Sequence, residues 1–225
     1  MTDSIDPITA SAFAESAGPD GWRVLGDGAY AHYPTGSFAE SAAFAHVVSE
    51  LPAVQRHPPA VDIRAGGVTF RLLTTGDEYY GMSSADLDVA KAIAGAARER
   101  GLETDPSAVQ NLLIVPGAPS GTHIAPFWRA VLGYEPRADS PDDDLVDPHD
   151  RDPAFWFEGM DEPRGDGGGA IHIGVWVPIE QAEARVAAAL AAGGRIVRDE
   201  HAPSWWTLAD PAGNEADIAT VAGRD

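Results

Sequence analysis

The sequence predicts an α+β protein of two domains, an antiparallel sheet with two helices followed by paired βαβββ modules. Two observations carry this. Short runs of alternating apolar residues, bounded by Gly, Pro, Asn and Asp, recur along the chain as half-buried strands do, and segments of helical period are set among them. In the second half, the order strand, helix, several strands appears twice, an approximate internal repeat. Two such units can pair to bury one sheet face under helices while the other face lines a cavity.

Residues 1–20 are Ala-, Ser- and Asp-rich and poorly periodic, so their structure stays open. From Gly21-Trp22 the pattern firms. Residues 29–33 form a short strand, and Ser37-Phe38-Ala39-Glu40 is a capping box that opens a helix to about Leu51, ended by Pro52. Residues 61–64 and 68–73 alternate as a hairpin around Gly66-Gly67. Ser83-Ser84-Ala85-Asp86 starts a second helix, with Leu87, Ala90, Ile93 and Ala97 on one stripe and Gly101 as its stop. This domain spans 21–102, and Glu103-Thr104-Asp105-Pro106-Ser107 links it to the next, 108–225.

The second domain opens with a strand over 109–115 and a helix over 122–132 stopped by Gly133. An acidic, Pro-rich loop follows over 136–153, then a strand over 154–160 and a Gly-rich connection at 165–169. The order then recurs: a strand over 171–177, a helix over 179–192, and strands near Arg195, Trp205 and Glu215. The last two strands flank a turn, in which Pro211 fixes φ and Gly213-Asn214 tolerate positive φ.

Composition narrows the chemistry. With 225 residues the chain can bury a sizeable core. Its lack of cysteine excludes disulfides, thiolate catalysis and thiolate metal sites. A net charge of −20 argues against direct contact with nucleic acid or anionic membrane. No basic-then-apolar leader and no apolar run near the ~18 residues of a spanning helix is present, so a cytoplasmic location is expected.

Strand alternation puts His172, Gly174 and Trp176 on one face and Ile171, Ile173, Val175 and Val177 on the core face. Trp176 then forms a wall of the cavity and a candidate substrate contact. Trp156, Glu158 and Met160 group in the same way. A His, two Glu and an amide such as Gln110 make an N/O donor set suited to a divalent cation. Equally, His172 can be a hydrogen-bonded strand residue and Glu215 a turn-stabilising carboxylate. The run Asp142-Asp143-Asp144, with Asp147 and Asp150, lacks the spacing of a calcium loop and reads as a solvated loop. No Lys-Ser/Thr follows the glycines at 165–169, so they are not a phosphate loop.

Four segments in order, Phe127-Trp128-Arg129-Ala130-Val131-Leu132-Gly133-Tyr134, Phe157-Glu158-Gly159-Met160-Asp161-Glu162-Pro163-Arg164, Ile171-His172-Ile173 and Asp210-Pro211-Ala212-Gly213-Asn214-Glu215, resemble the glyoxalase/bleomycin-resistance/dioxygenase (vicinal oxygen chelate) family. The resemblance covers about 108–221. In the family's metal-using members it implies a divalent ion (Zn, Fe, Mn or Ni). The ligands carried over are Gln110 (with Asn111 competing), Glu158, His172 and Glu215. Many relatives bind ligands without metal.

The first half has its own resemblance. Gly21-Trp22, the helix over 38–51, Arg56-His57-Pro58, Val68-Thr69-Phe70-Arg71-Leu72 and Gly81-Met82-Ser83-Ser84-Ala85-Asp86 resemble pterin-4a-carbinolamine dehydratase over about 20–100. The resemblance implies cofactor-free dehydration, with imidazoles moving protons as the 4a-hydroxyl leaves as water. His57 and Asp86 match catalytic positions. Arg56 stands where the family has the first His of His-His-Pro, which makes it a charge for substrate binding. Thr74-Thr75-Gly76-Asp77 lacks the family's later histidine. Asp86, three residues after Ser83, is also what a capping box would place there.

Together these predict a small-molecule enzyme. His57 acts as acid/base with Asp86 orienting it, and a metal held by Gln110, Glu158, His172 and Glu215 acts as a Lewis acid on vicinal oxygens. A homodimer is expected. The alternative is a non-catalytic binding, resistance or dimerisation protein.

Overall fold

The computed structural model describes residues 5–118, 125–126, 128–129, 132–159, 171–209 and 215–223. The chain divides into two compact units, residues 1–109 and 110–223.

The first unit begins with α1 (Ala10–Ala17), in the segment whose structure the sequence leaves open; the Thr9 hydroxyl accepts the Ala12 N–H at 3.1 Å to cap it. Strands β1 (Arg23–Leu25) and β2 (Gly28–Pro34) lead to α2 (Phe38–Ser49), capped by Ser37 as predicted. Pro52 does not merely end that helix: it stands at the first turn of a further short helix, α3 (Pro52–Arg56), where a missing N–H costs nothing. The predicted hairpin is β3 (Ala60–Arg64) and β4 (Gly67–Leu72). A separate two-stranded hairpin, β5 (Thr74–Gly76) and β6 (Tyr79–Gly81), precedes α4 (Ser84–Glu99). Gly101, at φ 66°, ends α4 in the left-handed region.

The four-stranded sheet runs β1-β2-β4-β3, antiparallel throughout. Period-2 alternation turns Ala29, Ala31 and Tyr33 of β2 and Val68, Phe70 and Leu72 of β4 into the core. There they are buried with Phe44 and Val48 of α2 and with Val89, Ala90, Ile93 and Ala97 of α4. Tyr33 meets Phe44 and Phe70 edge-on, with centroids at 5.2 and 6.1 Å. The expected linker is docked: the Asp105 N–H donates to the His32 carbonyl at 2.9 Å, and Asp105 caps a 3₁₀ turn, Pro106–Ala108.

The second unit holds β7 (Asn111–Ala118), helical residues at 125–126, 128–129 and 132, then β8 (Glu135–Arg137), β9 (Ser140–Val146), β10 (Ala154–Trp156) and β11 (Glu158–Gly159). After these come β12 (Ile171–Trp176), α5 (Ile179–Ala191), β13 (Arg195–Arg198), β14 (Trp205–Ala209) and β15 (Glu215–Ala219). The sheet order is β13-β14-β15-β12-β7-β10-β9-β8, with β11 also on β7. In each half a late strand lies parallel to the first, β10 and β11 on β7 and β15 on β12, and the two first strands join antiparallel. That is the predicted repeat.

Each half has its own core on the helix side. Val177, Ala182, Val186, Leu208 and Ile218 pack under α5, with Val175 against them. Tyr134, Leu145, Phe155 and Phe157 pack with Ile114, Ala125 and Trp128. Each fully buried large side chain contributes about 1.5–3 kcal/mol relative to exposure.

One expectation is overturned here. The region 136–153 is not a long acidic loop: β8 and β9 make an antiparallel hairpin in it. Asp144 of the acidic run is buried on β9 and accepts from Arg137 Nη1 at 3.2 Å; burial pushes its carboxyl above the usual range, and the Arg137 charge opposes that. Asp147 organises the turn after β9, accepting the N–H groups of His149, Arg151 and Asp152 at 2.8, 2.9 and 3.2 Å. Those backbone bonds hold its carboxyl below the usual range. The segments expected around Met160, 161–170 and 210–214 lie outside the described residues.

Candidate functional site

In the first unit, two predicted residues meet. His57 caps the C-terminus of α3, and Asp86 stands in the first turn of α4; His57 Nε2 lies 2.7 Å from Asp86 Oδ1. Asp86 is fully buried, whereas the His57 side chain is 24% exposed. The capping box is also real, since the Ser83 hydroxyl accepts the Asp86 N–H and Asp86 Oδ2 accepts the Ser83 N–H at 2.7 Å. One carboxylate therefore serves both readings, one oxygen to the helix and one to the imidazole.

Two hydroxyls complete the cluster. Thr74, at the start of β5, donates to Asp86 Oδ2 at 2.7 Å, and its oxygen lies 2.6 Å from Ser83 Oγ and 3.3 Å from His57 Nε2. Ser83 and Thr74 are both buried. Sequence reasoning did not assign Thr74 a role. Its signal was its place in the stretch where the resemblance expects Thr-His.

An ionised carboxylate only accepts, so the short contact at Oδ1 puts the imidazole proton on Nε2. The working nitrogen is then Nδ1. The hydrogen bond to Asp86 raises the His57 pKa above its ordinary value, partial burial opposes it, and the Asp86 charge adds to it. Tyr79 of β6 is raised first by burial and then by the Asp86 charge. Arg56, the last residue of α3, is exposed beside His57. With Nε2 engaged by Asp86, Nδ1 is the nitrogen left to give or take a proton, and the cluster can perform general acid–base chemistry.

In the second unit, register decides which residues share a face. His172 pairs with Val115 and Glu158 with Gly117, two positions along β7 on the same side. Ile173 pairs with Ala216 on β15, so Glu215 is the neighbour of position 172 on that side as well. Backbone register thus puts positions 158, 172 and 215 on one side of the sheet. Gln110 does not join them: it precedes β7, and its Oε1 accepts from Arg185 Nη1 of α5 at 3.4 Å. Asn111 lies on the correct side but pairs with Trp176, four residues along β7 from Val115. The β7 position opposite His172 is therefore an apolar Val.

Glu215 has a cationic neighbour, with Arg198 Nη2 at 3.9 Å from Oε2. Beside it, Thr207 Oγ1 donates to Asp217 Oδ1 at 2.7 Å. Among the described residues no three His, Asp or Glu side chains converge as a metal site. The His172 side chain lies outside what the structure describes, and no step through a metal is derived. Val175 and Val177 lie in the core as expected, but Trp176 is only 6% exposed, so little of the indole is open to a ligand, and Ile173, expected in the core, is 40% exposed. A cavity of about 780 Å³ lies elsewhere, on the helix side between Ala125, Arg129, Tyr134, Pro136 and Leu145.

A family model described as a glyoxalase-like domain matches residues 114–219. The second unit thus carries a glyoxalase-like domain, and the match does not reach the first unit. No curated protein matches the chain.

Solved structures similar to it include one described as an NAD-dependent benzaldehyde dehydrogenase from Legionella pneumophila (13% identity, TM-score 0.36, covering 48% of this chain and 96% of that one). A glyoxalase/bleomycin resistance protein/dioxygenase superfamily member from Vibrio splendidus 12B01 is 17% identical (TM-score 0.33, covering 49% and 97%). A protein from Agrobacterium tumefaciens solved by NMR is 21% identical (TM-score 0.24, covering 49% and 96%). The glyoxalase-like assignment rests on the family model. No helix among the described residues is long and apolar enough to cross a membrane.

Proposed function

We propose that this protein is a small-molecule enzyme whose chemistry lies in the first unit: acid–base dehydration of a pterin-type carbinolamine, with the glyoxalase-like domain as a small-molecule-binding module. The observation that carries this reading is the 2.7 Å contact between His57 Nε2 and Asp86 Oδ1, on a His57 side chain that is 24% exposed. The pterin dehydratase resemblance around His57 and Asp86 supports the substrate class. With Arg56 in place of one histidine and no histidine in 74–77, His57 alone serves both proton steps. Nδ1 takes the ring N–H proton and returns a proton to the hydroxyl as the C4a–O bond breaks and water leaves. No electrons are gained or lost, so no redox cofactor is required. Arg56, permanently charged, binds rather than transfers protons.

The test is turnover of 4a-hydroxytetrahydropterin by the full chain and two variants. His57→Ala should lose 10²-fold or more, the scale of a positioned acid/base, and His172→Ala should leave turnover unchanged. No turnover by the unaltered protein, or a loss only in His172→Ala, would refute the reading. The second reading, a non-catalytic binding module, is favoured by Arg56 in place of a catalytic histidine; ligand binding without turnover would establish it.

A further inference from the structure

The hydroxyl network around Asp86 has a direction. Thr74 has one hydroxyl proton, and Asp86 Oδ2 at 2.7 Å takes it. Ser83 Oγ lies 2.6 Å from Thr74 Oγ1 but 3.0 Å from Asp86 Oδ2, so the shorter contact draws its proton to Thr74. The chain of donors then runs Ser83, Thr74, Asp86. It saturates Oδ2, which also accepts the Ser83 N–H, and leaves Oδ1 for the imidazole. The remaining lone pair of Thr74 faces His57 Nε2 at 3.3 Å, so Nε2–H has two acceptors on one side. A hydroxyl that donates to the carboxylate and accepts from the imidazole fixes both groups at once.

We propose that Thr74 is a positioning residue: it orients the Asp86 carboxylate and so fixes His57 in the Nε2–H tautomer, making Nδ1 the nitrogen that meets substrate. As an account of catalysis this rests on the dehydratase reading; as an account of the imidazole it stands alone. The charged group facing His57 is Asp86 on α4, with Arg56 next to it in sequence on α3; Tyr79 on β6, whose hydroxyl donates to the Met82 carbonyl, feels the Asp86 charge. None of these would be altered by changing Thr74 to Val, which preserves shape in the buried site and frees Ser83 Oγ to donate to Oδ2 directly.

The experiment is ¹⁵N NMR of the neutral His57 ring in the full chain, with Thr74→Val and Thr74→Ser, alongside kcat and KM on the pterin carbinolamine. The unaltered protein should show a protonated Nε2 and an unprotonated Nδ1. Thr74→Val should draw the two nitrogen signals toward each other, as a mixture of tautomers does, and Thr74→Ser should restore them. On substrate, Thr74→Val should lower kcat about tenfold, the lower end of the cost of an outer hydrogen-bond partner, with KM unchanged. An unaltered tautomer in Thr74→Val, or no rescue by Ser, overturns the proposal. A tautomer that responds in protein without pterin turnover keeps Thr74 as the positioning residue and refutes only the dehydratase reading.

Discussion

Asp86 does two jobs with one carboxylate, and pH separates them. The raised His57 pKa means that protonated His57 stabilises the fold. That contribution is fully present below the ordinary histidine value of about 6.5 and is lost as pH rises through the higher folded value. Urea unfolding of the unaltered protein should therefore show a loss of stability with rising pH across that window, and Asp86→Asn should flatten the slope. Asp86→Asn also weakens the cap and leaves buried donors poorly met, a cost of about 1–3 kcal/mol at any pH. Ser83→Ala removes the hydroxyl that receives the Asp86 N–H, and should cost about 1 kcal/mol in the same assay while leaving the His57–Asp86 contact in place.

At the scale of elements, local signals were read well where they were chemical. Ser37 and Ser83 cap the helices they announced, and Gly101 ends α4. The β8–β9 hairpin was missed because a Pro-rich acidic run carries no apolar alternation over most of its length: Asp142 and Asp143 are exposed, and only Leu145 and Asp144 turn inward. Charged residues suit β9's neighbour β8 at the sheet edge, where they discourage pairing with another chain. Helix α1 was missed because its Ala/Ser-rich segment carries one large apolar residue, Phe13, and α3 because five residues from Pro52 are too short to show a period. Gly28 carries a backbone demand that the sequence does not announce. At φ 141°, a Cβ there would lie 2.4 Å from the Leu72 carbonyl oxygen, so Gly28→Ala should cost about 1–3 kcal/mol in thermal or urea unfolding.

For the whole molecule, the internal repeat of the second unit was legible in element order, and the strand order repeats it half by half. The donor set was less legible, because a residue's place along a strand depends on pairing that no single sequence shows. Gln110 falls one residue before β7, beside Arg185, and Val115 takes the place opposite His172. Elemental analysis of protein purified without chelators or a histidine tag, beside His172→Ala and Glu215→Ala, tests the expected donor set: near-stoichiometric divalent metal lost in both variants would support it, and no metal after reconstitution would refute it. The proposed activity itself depends on one pair of side chains in the first unit, His57 and Asp86. The most direct measurement is the pKa of His57, followed by NMR titration of the full chain and of Asp86→Asn. A value above the ordinary 6.5 or so that falls back in Asp86→Asn is the predicted result; a value at or below it in the unaltered protein, indifferent to Asp86, would contradict the account.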